Sequence, residues 1–199
     1  MEVSSSGRPG VFLDRDGTVI RDPGYLSRSE QIEVLPRVPE ALRLFRQHGL
    51  TVVVITNQSA VARGLLSESQ LEEIHRELKR RLAESGALLD GIYYCPHHPT
   101  EGHAPYRISC ECRKPNTGLA RRAAAELDLE LGRSYVVGDQ WTDMELAFRI
   151  GAKGILISDR RQETADRRRT TAVLGPRSSV FVASDLWEAS RWIIGDLGE

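Results

Sequence analysis

Residues 11–20 read Val-Phe-Leu-Asp-Arg-Asp-Gly-Thr-Val-Ile, and this stretch decides the fold. Its apolar start is typical of a strand buried on both faces, as in a parallel sheet. Asp14 and Asp16 follow, and Gly17 lets the chain turn sharply. Two close carboxylates repel each other unless a cation or a shared proton intervenes, so the pair predicts a hard cation, an acid–base role, or both. The alternative is a pair of turn aspartates that only accept hydrogen bonds from backbone N–H groups.

Three later stretches place further polar residues in a fixed order. Residues 52–56 form a second buried-strand run that ends at Thr56, and Lys114 precedes a helical pattern. Residues 136–143, Val-Val-Gly-Asp-Gln-Trp-Thr-Asp, form a third run that ends in acids. Ligands of open α/β sheets bind at the carboxyl ends of the strands. The acids, the hydroxyl and the lysine are therefore expected to converge at one edge of a sheet.

Strand-like and helix-like segments alternate along the chain, and this alternation predicts an α/β fold. We expect a three-layer sandwich around a mostly parallel, Rossmann-like sheet. The predicted strands span residues 11–14, 51–55, 91–94, 134–137, 154–157 and 180–183. The predicted helices begin near Pro39, the Ser67 capping box, Thr117, Asp143 and Ser184.

Length and charge set the class of protein. The 199 residues predict one domain, with a flexible tail at residues 1–9 and the domain at 10–199. The net charge of −1 gives no basic field for nucleic acid, and the charge-rich segment 160–169 is expected to be an exposed linker or a frayed helix. The sequence shows neither a membrane-length apolar run nor a signal-peptide core, so a cytoplasmic protein is expected. No apolar stripe is left over for an interface, which favours a monomer.

All three cysteines lie in one short segment. Cys95 and His97 form a Cys-x-His pair, and Cys110 and Cys112 form a Cys-x-Cys pair. Thiolate and imidazole ligands at such spacing favour tetrahedral Zn²⁺, and four protein ligands make the metal structural. A disulfide would need an oxidising compartment and would leave one cysteine over. We therefore expect zinc to order the loop at about residues 95–112.

The ordered motifs D-x-D, Thr, Lys and G-D-x-x-x-D resemble the haloacid dehalogenase superfamily of phosphotransferases, over roughly residues 11–157. The resemblance implies a phosphatase with an aspartyl-phosphate on Asp14 and with Asp16 as general acid and base. It also implies that Thr56 and Lys114 bind the phosphoryl oxygens. The implied Mg²⁺ ligands are Asp14, the backbone carbonyl of Asp16, and Asp139. Asp143 is expected to support the Asp139 loop.

Five stretches resemble one branch of this superfamily, the heptose-bisphosphate and histidinol-phosphate phosphatases. These stretches are Phe12–Thr18, Thr56–Ser59, Ala62–Gly64, Tyr93–His98 and Cys110–Pro115. The branch lacks a large cap domain, so the zinc loop is expected to act as a small lid. The long loop between the Cys-x-His and Cys-x-Cys pairs is similar to that of the enzymes that remove the 7-phosphate of D-glycero-D-manno-heptose 1,7-bisphosphate. That reaction lies on the route to nucleotide-activated heptose. Hydrolysis of histidinol phosphate is the alternative.

A bisphosphate substrate needs a second anion site, and Arg113 is the candidate because a guanidinium can bind phosphate through two bonds. The resemblance implies further substrate contacts at Asp22, Gly24, Tyr25, Asn57, Gln58 and Ser59. Two residues depart from the family pattern. Ala60 stands where glycine is usual, and Gln140 stands where a basic residue often follows the metal-binding aspartate.

Two other classes of protein share parts of this pattern. A zinc-ribbon-like nucleic-acid module would use the Cys/His cluster, but the balanced charge does not support it. A receiver-like domain also clusters aspartates with a lysine on an α/β sheet. It would accumulate aspartyl-phosphate, whereas an acid at Asp16 favours rapid hydrolysis.

Overall fold

The computed structural model describes residues 7–158 and 180–198. It contains one six-stranded sheet whose neighbouring strands are all parallel. The strands are β1 (Gly10–Leu13), β2 (Thr51–Asn57), β3 (Gly91–Cys95), β4 (Tyr135–Gly138), β5 (Lys153–Ile157) and β6 (Val180–Ala183). The six predicted strands are therefore confirmed, with ends that differ by one or two residues.

Within residues 7–158 and 180–198, six α-helices connect or follow the strands. They are α1 (Val38–Gln47), α2 (Ser59–Ala62), α3 (Glu68–Glu84), α4 (Gly118–Leu127), α5 (Trp141–Ile150) and α6 (Leu186–Leu197). Single 3₁₀ turns lie at Ser29–Gln31 and Leu131–Arg133. The sequence did not predict α2, which is a four-residue helix too short to show a period. Helix α5 begins at Trp141 rather than at Asp143, and Gln140 is its N-cap.

The strand order is β3-β2-β1-β4-β5-β6, so the chain reverses its direction of winding between β1 and β4. Leu13 of β1 is in register with Val54 of β2 on one side and with Val137 of β4 on the other. In open α/β sheets this reversal leaves a crevice beyond the carboxyl ends of the two strands. The segments that follow β1 and β4 therefore lie side by side.

Hydrophobic residues cover both faces of the sheet, which gives the predicted three layers. In β1, Val11 and Leu13 face one core with α1, α3 and α6, while Phe12 faces a second core with α4 and part of α5. Residues 96–117 contain no helix or strand, so no large cap domain occurs in the described part of the chain. Within the described ranges, no helix combines the length and apolar composition of a membrane span.

The N-terminal boundary of the domain differs from the prediction. Arg8 forms a parallel bridge with Leu129, and its backbone N–H donates to the carbonyl of Asp128 at 3.0 Å. Residues 7–9 therefore pack on the domain, because their backbone finds partners next to the end of α4. The predictions for residues 1–6 and 160–169 lie outside the described residues.

Candidate active site and metal-binding cluster

A cavity of about 710 Å³ opens beyond the carboxyl ends of β1, β2 and β4. It collects most of the predicted site residues at the crevice between β1 and β4. The predicted residues that line it are Asp14, Asp16, Asp22, Gly24, Thr56, Asn57, Arg113, Lys114 and Asp139. Pro99, Ile108 and Ser109 of the loop between β3 and α4 line it from above.

Asp14 is the first residue after β1, and its surroundings hold the side chain in one orientation. Its backbone N–H donates to the Val137 carbonyl at 2.9 Å, which ties the strand end to β4. Its Oδ1 accepts from the Arg15 backbone N–H at 2.7 Å and lies 2.8 Å from Lys114 Nζ. Only 9% of Asp14 is exposed. The result is a nearly buried, fixed carboxylate that borders the cavity.

Lys114 lies between two buried carboxylates. Its Nζ is 2.7 Å from Asp143 Oδ1 as well as 2.8 Å from Asp14. Burial alone would lower the pKa of Lys114, but the two carboxylates raise it above its usual value, so the ammonium stays charged. Burial raises the pKa of Asp143 to about 7, although Lys114 opposes the shift. Asp143 thus positions the lysine in addition to accepting from the Gln140 backbone N–H.

Two glycines allow the acids to approach each other. Gly17 has a φ of +75°, and a Cβ atom there would lie 2.3 Å from Asp139 Oδ2. A Cβ atom at Gly138 would lie 2.2 Å from Asp143 Oδ2. Both distances are far below van der Waals contact. Only glycine fits at these two positions while the carboxylates keep their places.

Asp14, Asp139 and Asp143 each offer one oxygen within 4.8 Å of the others. Burial raises the pKa of Asp139, and its Oδ1 is buried without a hydrogen-bond partner among the described residues. An anionic oxygen of this kind needs a cation, and carboxylate oxygens suit Mg²⁺. The residues present therefore fit a hard divalent cation. The Asp16 carboxylate does not belong to this cluster.

Thr56 and Asn57 are the last two residues of β2, and both line the same cavity as Asp14. Thr56 is buried and lines the cavity, with its Oγ1 accepting from Gln58 Nε2 at 2.8 Å. The Asn57 amide binds the Lys114 backbone twice, through Nδ2 to the carbonyl at 3.1 Å and through Oδ1 from the N–H at 2.9 Å. Asn57 therefore anchors the lysine segment to β2, in addition to bordering the cavity.

Gln58, Ser59 and Tyr25 are placed differently from the prediction, since none of them is among the residues that line the cavity. Gln58 is 4% exposed, and its amide contacts Asp16 and Thr56. The turn from β2 into α2 directs it inward. Tyr25 lies on the surface under the Arg63 guanidinium, at 5.4 Å from its ring.

Arg15 is the residue that the sequence analysis missed. It lies between the two motif aspartates, yet it is only 1% exposed. Its guanidinium contacts Asp16, Gln58 and His75. An arginine in such a position is normally expected to be exposed. The one feature of the sequence that could have indicated burial of Arg15 is its position directly after a buried-strand run.

Arg113 borders the cavity next to Lys114. Its Nη1 donates to the His97 carbonyl at 3.1 Å, so the guanidinium is tied to the cysteine loop. Elsewhere in the cavity lining, the Gly24 N–H donates to Asp22 Oδ1 at 2.8 Å, which closes a turn. Arg113 is therefore held where it can contact an anion in the cavity.

Cys95, His97, Cys110 and Cys112 come together as predicted. Their sulfur atoms lie 3.1 to 3.5 Å apart, and His97 Nδ1 lies 3.3 Å from Cys112 Sγ. All three thiols are free. The neighbouring His98 is not part of the cluster, and its Nδ1 accepts from the Glu101 N–H at 2.9 Å. The donor set and its spacing fit a tetrahedral zinc ion with no open position.

Three comparisons with known proteins agree on one family. A HAD-hydrolase-like family model matches residues 111–189. The D-glycero-beta-D-manno-heptose-1,7-bisphosphate 7-phosphatase of Yersinia pestis is 41% identical over 160 residues, covering 79% of this chain and 85% of the relative. The phosphatase of the same name from Escherichia coli K12 is 42% identical over 139 residues, covering 70% and 73%.

A solved structure supports the same relationship. The D,D-heptose 1,7-bisphosphate phosphatase from B. bronchiseptica, complexed with magnesium and phosphate, superposes with a TM-score of 0.77 at 32% identity. The alignment covers 94% of this chain and 99% of that one. The similarity therefore extends over nearly the whole chain.

Proposed function

We propose a function that follows from the family of this chain. The chain belongs to the haloacid dehalogenase-like hydrolases, and within them to the heptose-bisphosphate phosphatase family. In our proposal it removes the 7-phosphate of D-glycero-D-manno-heptose 1,7-bisphosphate. The chain is thus a phosphoric monoester hydrolase. The relatives' names specify the beta anomer, and we extend this preference to the chain. The observation that carries the proposal is the buried Asp14 carboxylate, 2.8 Å from Lys114 Nζ and next to an acidic cluster that fits Mg²⁺.

The first half of the reaction forms an aspartyl-phosphate. A carboxylate oxygen of Asp14 attacks phosphorus, and the bond from phosphorus to the sugar oxygen breaks. Asp16 gives its proton to that oxygen, so the sugar leaves as a neutral alcohol. Burial raises the pKa of Asp16, which favours a protonated fraction for this step.

The second half releases inorganic phosphate. Asp16, now a carboxylate, takes a proton from water, and the water oxygen attacks phosphorus. The bond from phosphorus to Asp14 breaks and restores the free carboxylate. Lys114 and Thr56 hydrogen-bond the phosphoryl oxygens and stabilise their charge in both halves.

Asp14 and Asp139, with the Asp16 backbone carbonyl, would hold Mg²⁺, and Asp143 lies close enough to support them. When bound, this ion neutralises charge among the carboxylates and the phosphoryl oxygens. The cysteines and His97 would hold zinc as a structural ion that orders the cavity wall, because four protein ligands leave no position for a reactant.

The second phosphate of the substrate contacts Arg113 in our proposal. The guanidinium borders the cavity beside the catalytic lysine, and the His97 carbonyl restricts its position. Asp22 and Gly24, which also line the cavity, contact the sugar in the same proposal. We also propose that the protein is a monomer and that it is cytoplasmic. The three free thiols support the cytoplasmic location.

The experiment that tests the function is Mg²⁺-dependent phosphate release from both anomers of heptose 1,7-bisphosphate and from histidinol phosphate. We expect kcat/KM to favour a heptose bisphosphate by about 100-fold or more, equal to roughly 2.7 kcal/mol of transition-state binding. A preference for histidinol phosphate would transfer the same chemistry to the alternative substrate.

Asp16→Asn tests the acid–base assignment. We expect kcat to fall about 10²- to 10⁴-fold with the fold intact, because the amide can neither donate the proton nor accept it. Asp128→Asn, an exposed change at the end of α4, is the matched control and should keep full activity. Near-normal turnover of Asp16→Asn would refute the mechanism.

A further inference from the structure

We propose that Arg15 and Gln58 are positioning residues that fix the Asp16 carboxylate at the wall of the cavity. The inference rests on the proposed function, since it assumes that Asp16 transfers the proton. It concerns residues that have no contact with the cavity themselves, because neither Arg15 nor Gln58 is among its lining residues.

Arg15 binds the Asp16 carboxylate at two points. Its Nε donates to Oδ1 at 3.0 Å, and its Nη2 donates to Oδ2 at 2.9 Å. A guanidinium and a carboxylate joined in this way share one plane, so the pair restricts rotation of the carboxylate as well as its position. A single ammonium could supply the charge but not the plane.

Burial keeps this pair together. The Arg15 side chain is 1% exposed, and Asp16 is its only carboxylate ion-pair partner in the described part of the chain. A buried guanidinium that lost its counter-charge would be strongly destabilising. The arginine therefore has no alternative partner among the described residues, and Asp16 is held from the protein side while its other face borders the cavity.

His75 fixes the opposite end of the guanidinium. Its Nε2 lies 3.1 Å from Arg15 Nη1. Burial, together with the charges of Arg15 and Lys79, lowers the pKa of His75 to about 3. The imidazole is therefore neutral and accepts through Nε2. All three guanidinium nitrogens then have partners, so the plane of Arg15 cannot rotate.

Gln58 joins the same network to a second site residue. Its Oε1 accepts from Arg15 Nη2 at 2.9 Å, while its Nε2 donates to Asp16 Oδ2 and to Thr56 Oγ1, both at 2.8 Å. Its backbone N–H donates to the Cys95 carbonyl at 2.8 Å. The glutamine thus fixes the distance between the acid–base carboxylate and the threonine that binds the phosphoryl group.

The consequence is a preorganised acid–base group. Fixing a reacting group in its working orientation lowers the entropic part of the barrier, and a misplacement of about 1 Å can cost about 10²-fold in rate. Loss of the two-point contact should therefore reduce kcat and leave KM nearly unchanged, since Arg15 does not border the substrate cavity.

A double-mutant cycle tests this coupling. The experiment measures single-turnover phosphorylation of Asp14, by rapid quench with the heptose bisphosphate, in the wild type, Arg15→Lys, Asp16→Asn and the double variant. We expect Arg15→Lys to slow the wild type by about 100-fold with KM within about threefold. In the Asp16→Asn background, Arg15→Lys should lower the phosphorylation rate by less than about threefold, because no proton donor remains to be positioned.

Two further variants control for general damage to the fold. Arg81→Lys changes a half-buried arginine that donates to Glu77 and to the carbonyls of Ile32 and Ser29, away from the cavity, and should keep full activity. Gln58→Leu removes the second contact of Asp16 and replaces Arg15→Lys in the cycle if that variant fails to fold. It too should slow phosphorylation much less in the Asp16→Asn background than in the wild type.

The outcomes separate the inference from the function. An equal loss from Arg15→Lys in both backgrounds, or a change confined to KM, would overturn the positioning role. Full activity of both Arg15→Lys and Gln58→Leu, with Asp16→Asn impaired, would overturn it as well and leave the function standing. An inactive wild type, or an active Asp16→Asn variant, would instead overturn the proposed function.

Discussion

Gly17 is the residue at which the loop after β1 meets the segment after β4. Its positive φ and the 2.3 Å approach that a Cβ atom would make to Asp139 Oδ2 are two separate constraints. The φ angle constrains the backbone alone, whereas the close approach constrains the side chain of Asp139 in the acidic cluster. The acidic cluster therefore depends on a residue that has no side chain.

Gly17→Ala should displace Asp139 and raise the half-saturating Mg²⁺ concentration for activity by about tenfold or more. The left-handed backbone adds about 1–2 kcal/mol of strain. Titration of phosphate release with Mg²⁺ measures the effect.

Gly49→Ala is the matched control, because Gly49 has a φ of +74° and no atom within 4 Å of the added Cβ. It should lose similar stability while its Mg²⁺ dependence stays unchanged. Identical Mg²⁺ curves for Gly17→Ala and the wild type would contradict the steric argument.

At the scale of elements, helix α3 acts on the site because it packs His75 against Arg15. The capping box fixes its start, with Ser67 Oγ accepting from the Gln70 N–H and Gln70 Oε1 accepting from the Ser67 N–H. His75 is 7% exposed and faces Arg15, Lys79 and the ring of Tyr94. Helix α3 thus places a neutral hydrogen-bond acceptor, the His75 imidazole, among its buried core residues.

The buried histidine predicts an acid-sensitive stability. The folded pKa of about 3 lies below the unfolded value of 6.5, so the unfolded chain binds the proton between these two values. Stability from this group is present above pH 6.5 and is lost as the pH falls toward 3. We expect a contribution of about 2 kcal/mol to disappear between pH 7.5 and pH 5.

Urea unfolding at a series of pH values measures this loss. His75→Gln is the comparison, since an amide oxygen can accept from Arg15 but does not titrate. The variant should lose about 2 kcal/mol less than the wild type over the same interval. Parallel pH profiles would show that His75 is not the group responsible.

At the scale of the molecule, the loop of residues 96–112 packs on the sheet edge through its cysteine cluster and through a few direct contacts. The His103 N–H donates to the Ala62 carbonyl at 2.9 Å, and the Tyr106 hydroxyl donates to Glu68 Oε1 at 2.8 Å. Glu101 forms an ion pair with Arg63. The loop has little hydrophobic core of its own, so we expect the proposed zinc ion to order it.

A zinc-selective chelator, added in excess Mg²⁺, should increase hydrogen exchange in residues 96–112 while β1 and β4 stay protected. The half-saturating Mg²⁺ concentration should stay the same, because the acidic cluster shares no residue with the cysteine cluster. KM for the bisphosphate should rise, because Arg113 is held by the loop. Cys112→Ser should show the same exchange without chelator, and an unchanged exchange pattern in both cases would refute a structural zinc.

The sequence alone determined the architecture and the main chemical groups. Buried-strand runs, capping signals and alternation are local patterns, and parallel strands bring their carboxyl ends to one edge whatever the details of packing. The order of residues along the chain was therefore enough to assign Asp14, Thr56, Lys114 and Asp139 to one site. The cysteine spacing predicted the second cluster in the same way.

The roles of the supporting residues depend on contacts between segments that are distant in sequence. Whether Arg15 faces solvent or the core, and whether Gln58 meets the substrate or Asp16, depends on α3 and on the turn into α2. The helix supplies His75 from 60 residues away in sequence. Local sequence fixes which residues leave a strand end, but the partners of a buried charge are set by distant segments, because burial removes water and each polar group must then be satisfied by what the fold places next to it.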